Sequence, residues 1–272
     1  MMRMRRRMTT LLAGALAFGL TLAGCAPAHE AIRMPPQGAI PDYQLGSAYP
    51  PVDGVGLVVR DRAAAVPHGV YAVCYVNGFQ TQPGERADWP EDLLLHRDGA
   101  AVTDPNWPDE VLLDTSTAAH RERIESVIGQ WIEGCAEAGF DAVELDNLDS
   151  YTRSGGELSL EDNLALAQAL VARGHALGLA VAQKNAAEHS AVLHGRAGFD
   201  FVIAEECAAY DECQVYAEVY GERVIDVEYT DNLPQPFAQL CRAPHTPASV
   251  VLRDRRLAAP GEPGHVFLTC SD

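Results

Sequence analysis

The chain reads as an α/β protein, a single-domain (β/α)8 TIM barrel, on three observations. About eight short apolar runs alternate with helix-patterned or long polar segments, and such alternation implies a parallel sheet. The 272-residue chain leaves about 247 residues after Cys25, the usual length of such a barrel, and 47% of the full chain is hydrophobic, enough for one sizeable core. No Gly-rich phosphate loop follows the first strand, so a closed barrel fits better than a doubly wound sheet.

Residues 1–24 read as an export signal. Arg3, Arg5, Arg6 and Arg7 form a basic start, and residues 11–22 form an apolar run too short for a membrane span. Leu22-Ala23-Gly24-Cys25 resembles a bacterial lipobox, which implies cleavage before Cys25 and a lipid on its sulfur. Residues 25–41, rich in Ala and Pro, read as a flexible tether, and residues 42–272 as the barrel domain. The expectation is an exported monomer, anchored to a bacterial membrane through Cys25 and facing outside the cytoplasm.

Strands are expected at 43–48 (weakly), 55–60 and 71–77, the last apolar and β-favouring throughout. Residues 78–114, rich in Pro, Asp, Trp and Gly, are too long for an ordinary connection and read as a functional loop over one face of the barrel. Trp89 and Trp107 within it suit either sugar stacking or the loop's own core. Ile124, Val127, Ile128, Trp131 and Ile132 recur at helical spacing in a helix that starts near Thr117 and ends near Gly139. The strand from Asp141 then runs into Glu144, Asp146, Asn147 and Asp149. Ser159 and Asp162 form a loose capping box for a helix whose buried face carries Leu164, Leu166, Ala167, Leu170, Val171 and Leu177, and Gly178 stops it. A strand at 179–183 leads to Lys184-Asn185, a short helical piece at 187–194 to a strand at 199–204, and that strand to Glu205-Glu206-Cys207. A helix at 211–220 precedes strand 223–227 with Glu228-Tyr229, and strand 249–252 ends in Arg253-Asp254.

Six cysteines follow Cys25, an even number that in an exported protein points to disulfides. The short Cys207–Cys213 interval suggests a local staple, Cys241–Cys270 ties down the C-terminal segment, and Cys74–Cys135 remains. No pair has C-x-x-C spacing and the nine histidines show no H-E-x-x-H pattern, so neither metal nor cofactor is expected. Losing the four signal arginines leaves 16 basic residues against 38 acidic, near −22. Such a surface argues against nucleic acid as partner and favours a cationic ligand.

The chemistry is expected where the polar residues fall. Five strands end in Asn77, Asp146-Asn147, Lys184-Asn185, Glu205-Glu206 and Glu228-Tyr229, as the rim of a barrel active site does. Capping explains one such ending but not five. Lys184 is the only lysine; the other 19 basic residues are arginines, and a lysine suits a tight polar pocket that needs a compact ammonium. Paired carboxylates without a metal cluster suit glycosidic cleavage, one protonated to donate to the leaving oxygen and one ionised to attack or to activate water. Asp146 and Glu205 lie on alternate strands with Lys184 between them, able to push their pKa values apart.

The motifs resemble glycoside hydrolase family 114, the endo-α-1,4-polygalactosaminidase group, in a bacterial lipoprotein form. They are Val73-Cys74-Tyr75, Trp107-Pro108-x-Glu110 with Leu113-Asp114, Gly139-Phe140-Asp141-x-Val143-Glu144-x-Asp146-Asn147 with Tyr151, and His175 with Gly178-Leu179. Lys184-Asn185, Glu205-Glu206-Cys207-x-x-Tyr210-x-Glu212-Cys213 and Val227-Glu228-Tyr229 complete the set, in family order. The resemblance implies endo-cleavage of α-1,4-linked galactosamine or N-acetylgalactosamine polysaccharide, with Asp146 as nucleophile and Glu205 as acid/base of a retaining mechanism. Tyr75, Asn147, Lys184, Asn185, Glu228 and Tyr229 are expected to bind substrate. Departures at 76–80, at Leu145 and at Ala186 bear on subsites. The competing expectation is a non-catalytic lipoprotein that binds glycan in the same barrel mouth.

Overall fold

A computed structural model describes residues 31–271. The expected signal peptide and the expected lipidation at Cys25 lie outside the described residues. Eight parallel strands form the sheet: β1 (Ile40–Tyr43), β2 (Val55–Asp61), β3 (Tyr71–Asn77), β4 (Ala142–Asp146), β5 (Ala180–Lys184), β6 (Phe201–Glu205), β7 (Val224–Tyr229) and β8 (Ser249–Arg253). Each pairs with its sequence neighbour, and β9 (Phe267–Thr269) adds an antiparallel edge to β8. The ring closes where β1 lies beside β8: the guanidinium of Arg253 donates to the Tyr43 carbonyl at 2.5 Å and to the Asp42 carboxylate at 2.9 Å.

The period-two pattern of each strand divides two apolar clusters. Tyr71, Val73, Ala142, Ala180, Ala182, Phe201, Ile203, Ile225, Val227 and Val251 fill the barrel interior. Their strand neighbours Ala72, Cys74, Val143, Leu145, Val181, Val202 and Ala204 face outward and pack against the helices. The principal helices are α1 (Ala118–Ala138), α2 (Leu160–Ala176) and α3 (Cys213–Tyr220). Thr117 caps α1 by accepting from the His120 amide, Gly139 ends it at φ 95°, and Ser159 and Asp162 cap α2 reciprocally. Among the described residues no helix is long and apolar enough to cross a membrane.

Three expectations need correction. The first strand is 40–43, not 43–48, so the barrel begins inside the stretch read as tether. The Ala- and Pro-rich composition hid it, yet Pro is tolerated near the start of a strand, and a register shift sits between Ile40 and Pro41. Residues ahead of it also pack down: Arg33 pairs with Asp141 at 2.8 Å and accepts from the Tyr71 hydroxyl through its carbonyl. The helical piece at 187–194 is broken into a 3-10 turn (Ala187–His189), a short α turn (Ser190–Val192) and a π turn (Leu193–Ala197). The helix expected at 211–220 starts only at Cys213. Loops alone follow β1, β2 and β8, so the alternation of strand and helix is incomplete.

The 78–114 segment is folded. Bridges pair Gln80 with Leu112, Leu94 with Leu113 and Thr103 with Val111, and Leu95, Val102, Leu112 and Leu158 form a core of their own. Trp89 is 5% exposed and meets Trp131 of α1 edge-on at 5.5 Å, so it belongs to the core; Trp107 is 60% exposed. Disulfides join Cys74 on β3 to Cys135 on α1, Cys207 to Cys213 across the β6–α3 connection, and Cys241 to Cys270.

Candidate active site

Inward-facing residues at the C-terminal ends of β3 to β7 converge on one ammonium group. Lys184 Nζ lies 3.4 Å from Glu144 Oε1, 3.6 Å from Asp146 Oδ2 and 3.2 Å from Glu205 Oε2, and donates to the Tyr43 hydroxyl at 2.9 Å. The oxygens of Asp146 and Glu205 that face this nitrogen are therefore at most about 6.8 Å apart, the sum of the two distances. Glu144 and Lys184 are buried, whereas the side chains of Asp146 and Glu205 are 18% and 28% exposed, open to the barrel mouth.

Each exposed carboxylate is held by its own donors. Tyr75 donates its hydroxyl to Asp146 Oδ2 at 2.7 Å, and the Asn147 amide donates to Oδ1 at 2.7 Å. The Tyr229 hydroxyl donates to Glu205 Oε1 in a short bond, and the amide of Glu205 donates to Asn185 Oδ1 at 2.8 Å. Beneath them Tyr43 donates to Glu144 at 2.9 Å. The three strands β4, β5 and β6 stop in the same way: the residue after each inward-facing side chain takes a left-handed backbone, Asn147 at φ 62°, Asn185 at φ 50° and Glu206 at φ 65°. Asn adopts this conformation more readily than most residues, and the turn brings the residue after each strand to the rim.

The electrostatics follow from burial around one cation. Burial opposes the charge on Lys184, but Asp146, Glu205 and Glu144 outweigh it and hold its pKa well above the usual lysine range. Burial pushes Glu144 up to about 7 even though Lys184 pulls the other way. Burial and then the nearby carboxylates keep Tyr43, Tyr75 and Tyr229 well above the usual phenol range, so all three remain hydrogen-bond donors.

The structure thus brings together Tyr75, Asp146, Asn147, Lys184, Asn185, Glu205 and Tyr229. It does not bring Glu228 with them, and this corrects its expected substrate-binding role. Tyr229 faces inward on β7, so its strand neighbour must face out. Glu228 is buried there and accepts from the Ala208 amide at 2.8 Å, bracing the β6 loop next to Asp226. Glu206 pairs at 2.7 Å with Arg255, whose guanidinium lies 4.2 Å over the Tyr229 ring. Sequence reasoning missed Tyr43, because its strand was misplaced, and Arg255, which lies past the last strand expected. It named Glu110 in the Trp107-Pro108-x-Glu110 motif but gave it no role in the site; its carboxylate accepts from Asn77 Nδ2 at 3.1 Å. Among the described residues the grouping with metal-ligand proximity is Cys207, Cys213 and Asp226, whose two sulfurs form a disulfide.

Two acids flanking a buried cation at the C-terminal rim of a parallel barrel form a carboxylate pair suited to glycosidic cleavage. The chain is similar in fold to the crystal structure of Aspergillus fumigatus Ega3 in complex with galactosamine, with 20% identity, 84% of this chain and 96% of that chain covered, and a TM-score of 0.68. The glycoside hydrolase domain of PelA from Pseudomonas aeruginosa is also similar, with 14% identity, 82% and 97% of the two chains covered, and a TM-score of 0.55. No curated protein matches the chain. The model of glycoside-hydrolase family GH114 matches residues 23–272, nearly the whole chain, so this glycoside hydrolase belongs to family GH114.

Proposed function

We propose that the protein is an endo-acting hydrolase that cleaves α-1,4-linked galactosamine or N-acetylgalactosamine polysaccharide with retention, through Asp146 and Glu205. The observation that carries this is the placement of the two carboxylates on either side of Lys184. Their facing oxygens lie within about 6.8 Å, which admits the short separation of about 5–5.5 Å used by retaining enzymes. The similarity to a structure holding galactosamine supports the choice of sugar, and the acidic surface suits a polycationic substrate.

The surroundings of the two acids support a division of roles. Both acids accept from a tyrosine and face Lys184, but Asp146 alone also accepts from the backbone amide that follows it, which favours an anion and supports it as the nucleophile. Glu205 is the more exposed of the two and reaches the leaving group as acid/base. As the bond from C1 to the glycosidic oxygen breaks, the Glu205 proton passes to that oxygen and the Asp146 carboxylate bonds to C1. Glu205 then takes a proton from water, the resulting hydroxide adds to C1, and Asp146 leaves with its electron pair. Lys184 stays charged throughout, and Tyr75, Tyr229, Asn147 and Asn185 fix the two acids in place. The three disulfides fit an oxidising compartment. With the lipobox-like Cys25 they support an exported, lipid-anchored protein.

Reducing-end release from galactosaminogalactan, partly deacetylated galactosaminan and a neutral α-glucan tests the reading. Release is expected from the amino-sugar polymers, falling by about three orders of magnitude or more in Asp146→Asn and Glu205→Gln. Release from none of the three polymers overturns the proposed endo-activity, and release from the glucan alone overturns the choice of sugar.

A further inference from the structure

Glu110 is the acid at the mouth that the reaction leaves unused. Its backbone is fixed within the 78–114 segment: its amide donates to the Trp107 carbonyl at 2.9 Å, and its carbonyl accepts from the Asp104 amide at 3.0 Å. Oε2 accepts from Asn77 Nδ2 at 3.1 Å. Asn77 is the register partner of Asp146 on the adjoining strand, and its own Oδ1 accepts from Asn147 Nδ2 at 3.1 Å. The Glu110 carboxyl is thereby tied to the end of the strand beside the nucleophile.

The other acids nearby already have cations. Glu144, Asp146 and Glu205 share Lys184, while Asp104 and Asp149 share Arg153 at 2.6 and 2.9 Å. Among the described residues Glu110 has only the neutral amide of Asn77 as a side-chain donor, and it is 9% exposed. Burial, and then the negative field of Asp146, push its pKa up to about 7, against the opposing hydrogen bond from Asn77 and a weaker pull from Arg153. A cation delivered here by the substrate relieves both the burial and the repulsion.

We propose that Glu110 is a specificity residue that pairs with the protonated C2 amine of the hexosamine held against Asp146, favouring a deacetylated residue there over an N-acetylated one. The inference rests on the proposed reaction. Asp146 attacks C1, and C2 carries the amine nearest to that carbon. Acetylation turns this ammonium into a neutral, bulkier amide that cannot neutralise the carboxylate.

The test compares kcat/KM for α-1,4-galactosamine and α-1,4-N-acetylgalactosamine oligosaccharides in wild type and Glu110→Gln, whose side-chain carbonyl can still accept from Asn77. The ratio of the two, amine over acetylated, is expected to fall about tenfold or more in the variant, mainly through KM for the amine substrate. An unchanged ratio, whether or not overall activity drops, overturns the inference, as does a ratio that rises. Absence of wild-type cleavage of either oligosaccharide counts against the proposed reaction instead. Calorimetric titration of Glu205→Gln against Glu205→Gln/Glu110→Gln with the same oligosaccharides then decides. Weakened binding of the amine form alone supports the inference, and equal weakening or none overturns it.

Discussion

Among the described residues, Glu144, Asp146, Glu205 and Tyr43 each bring an oxygen within 3.6 Å of Lys184 Nζ. A guanidinium is planar and wide; an ammonium is compact and can share three hydrogens among carboxylates approaching from different strands. That geometry accounts for a single lysine among 19 arginines. Arg253, where a flat fork fits, instead closes the barrel seam. The cation does not cancel every cost. Glu144 is buried with its Oε2 unpartnered, and burial raises its pKa to about 7 from an ordinary 4.5. The folded state therefore holds this proton to higher pH than the unfolded chain does. Its contribution to stability is full below about 4.5, declines as pH rises to about 7 and levels off beyond. Glu110 acts in the same sense. Urea unfolding of Glu144→Gln is expected to give a flatter stability curve between pH 5 and 7 than wild type. Superimposable curves contradict the burial account.

Among elements, the strand endings decide what the site contains. The apolar runs at β3, β4, β5 and β6 were legible because period-two burial on both faces leaves few other readings. The acids at their ends were legible because a strand rarely stops in Asp-Asn, Lys-Asn and Glu-Glu in succession. Parity limits the last of these endings: Glu228 and Tyr229 are adjacent on one strand and cannot both face the mouth. Asn147 and Asn185 escape this limit only because the left-handed turn takes them off the strand, which no periodicity shows. Glu228 instead braces the loop that carries Cys207, and the Cys207–Cys213 disulfide staples that loop just after Glu205. Replacing both cysteines with alanine is expected to cost about 2–3 kcal/mol by loop-closure entropy. It is also expected to lower kcat more than it raises KM, because the acid/base loses its fixed position. Unfolding and steady-state kinetics on the double variant check both, and an unchanged kcat shows that the staple does not position Glu205.

Across the whole molecule, the barrel gathers residues far apart in the chain, from Tyr43 to Tyr229, around one nitrogen. Length and alternation were enough to read the fold class. How distant residues meet to complete the mouth was not legible, because contacts across the ring leave no trace in local sequence. Tyr43 on the first strand, Glu110 in the long loop and Arg255 past the last barrel strand all reach the rim from distant segments. The central claim, double displacement by Asp146 and Glu205, has a stereochemical signature that depends on neither substrate affinity nor stability. Proton NMR of the anomeric region during the first minutes of cleavage of an α-1,4-galactosamine oligosaccharide reads it directly. The account predicts that the new reducing end appears first as the α-anomer and only later equilibrates. A β-anomer formed first means single displacement through water and contradicts it.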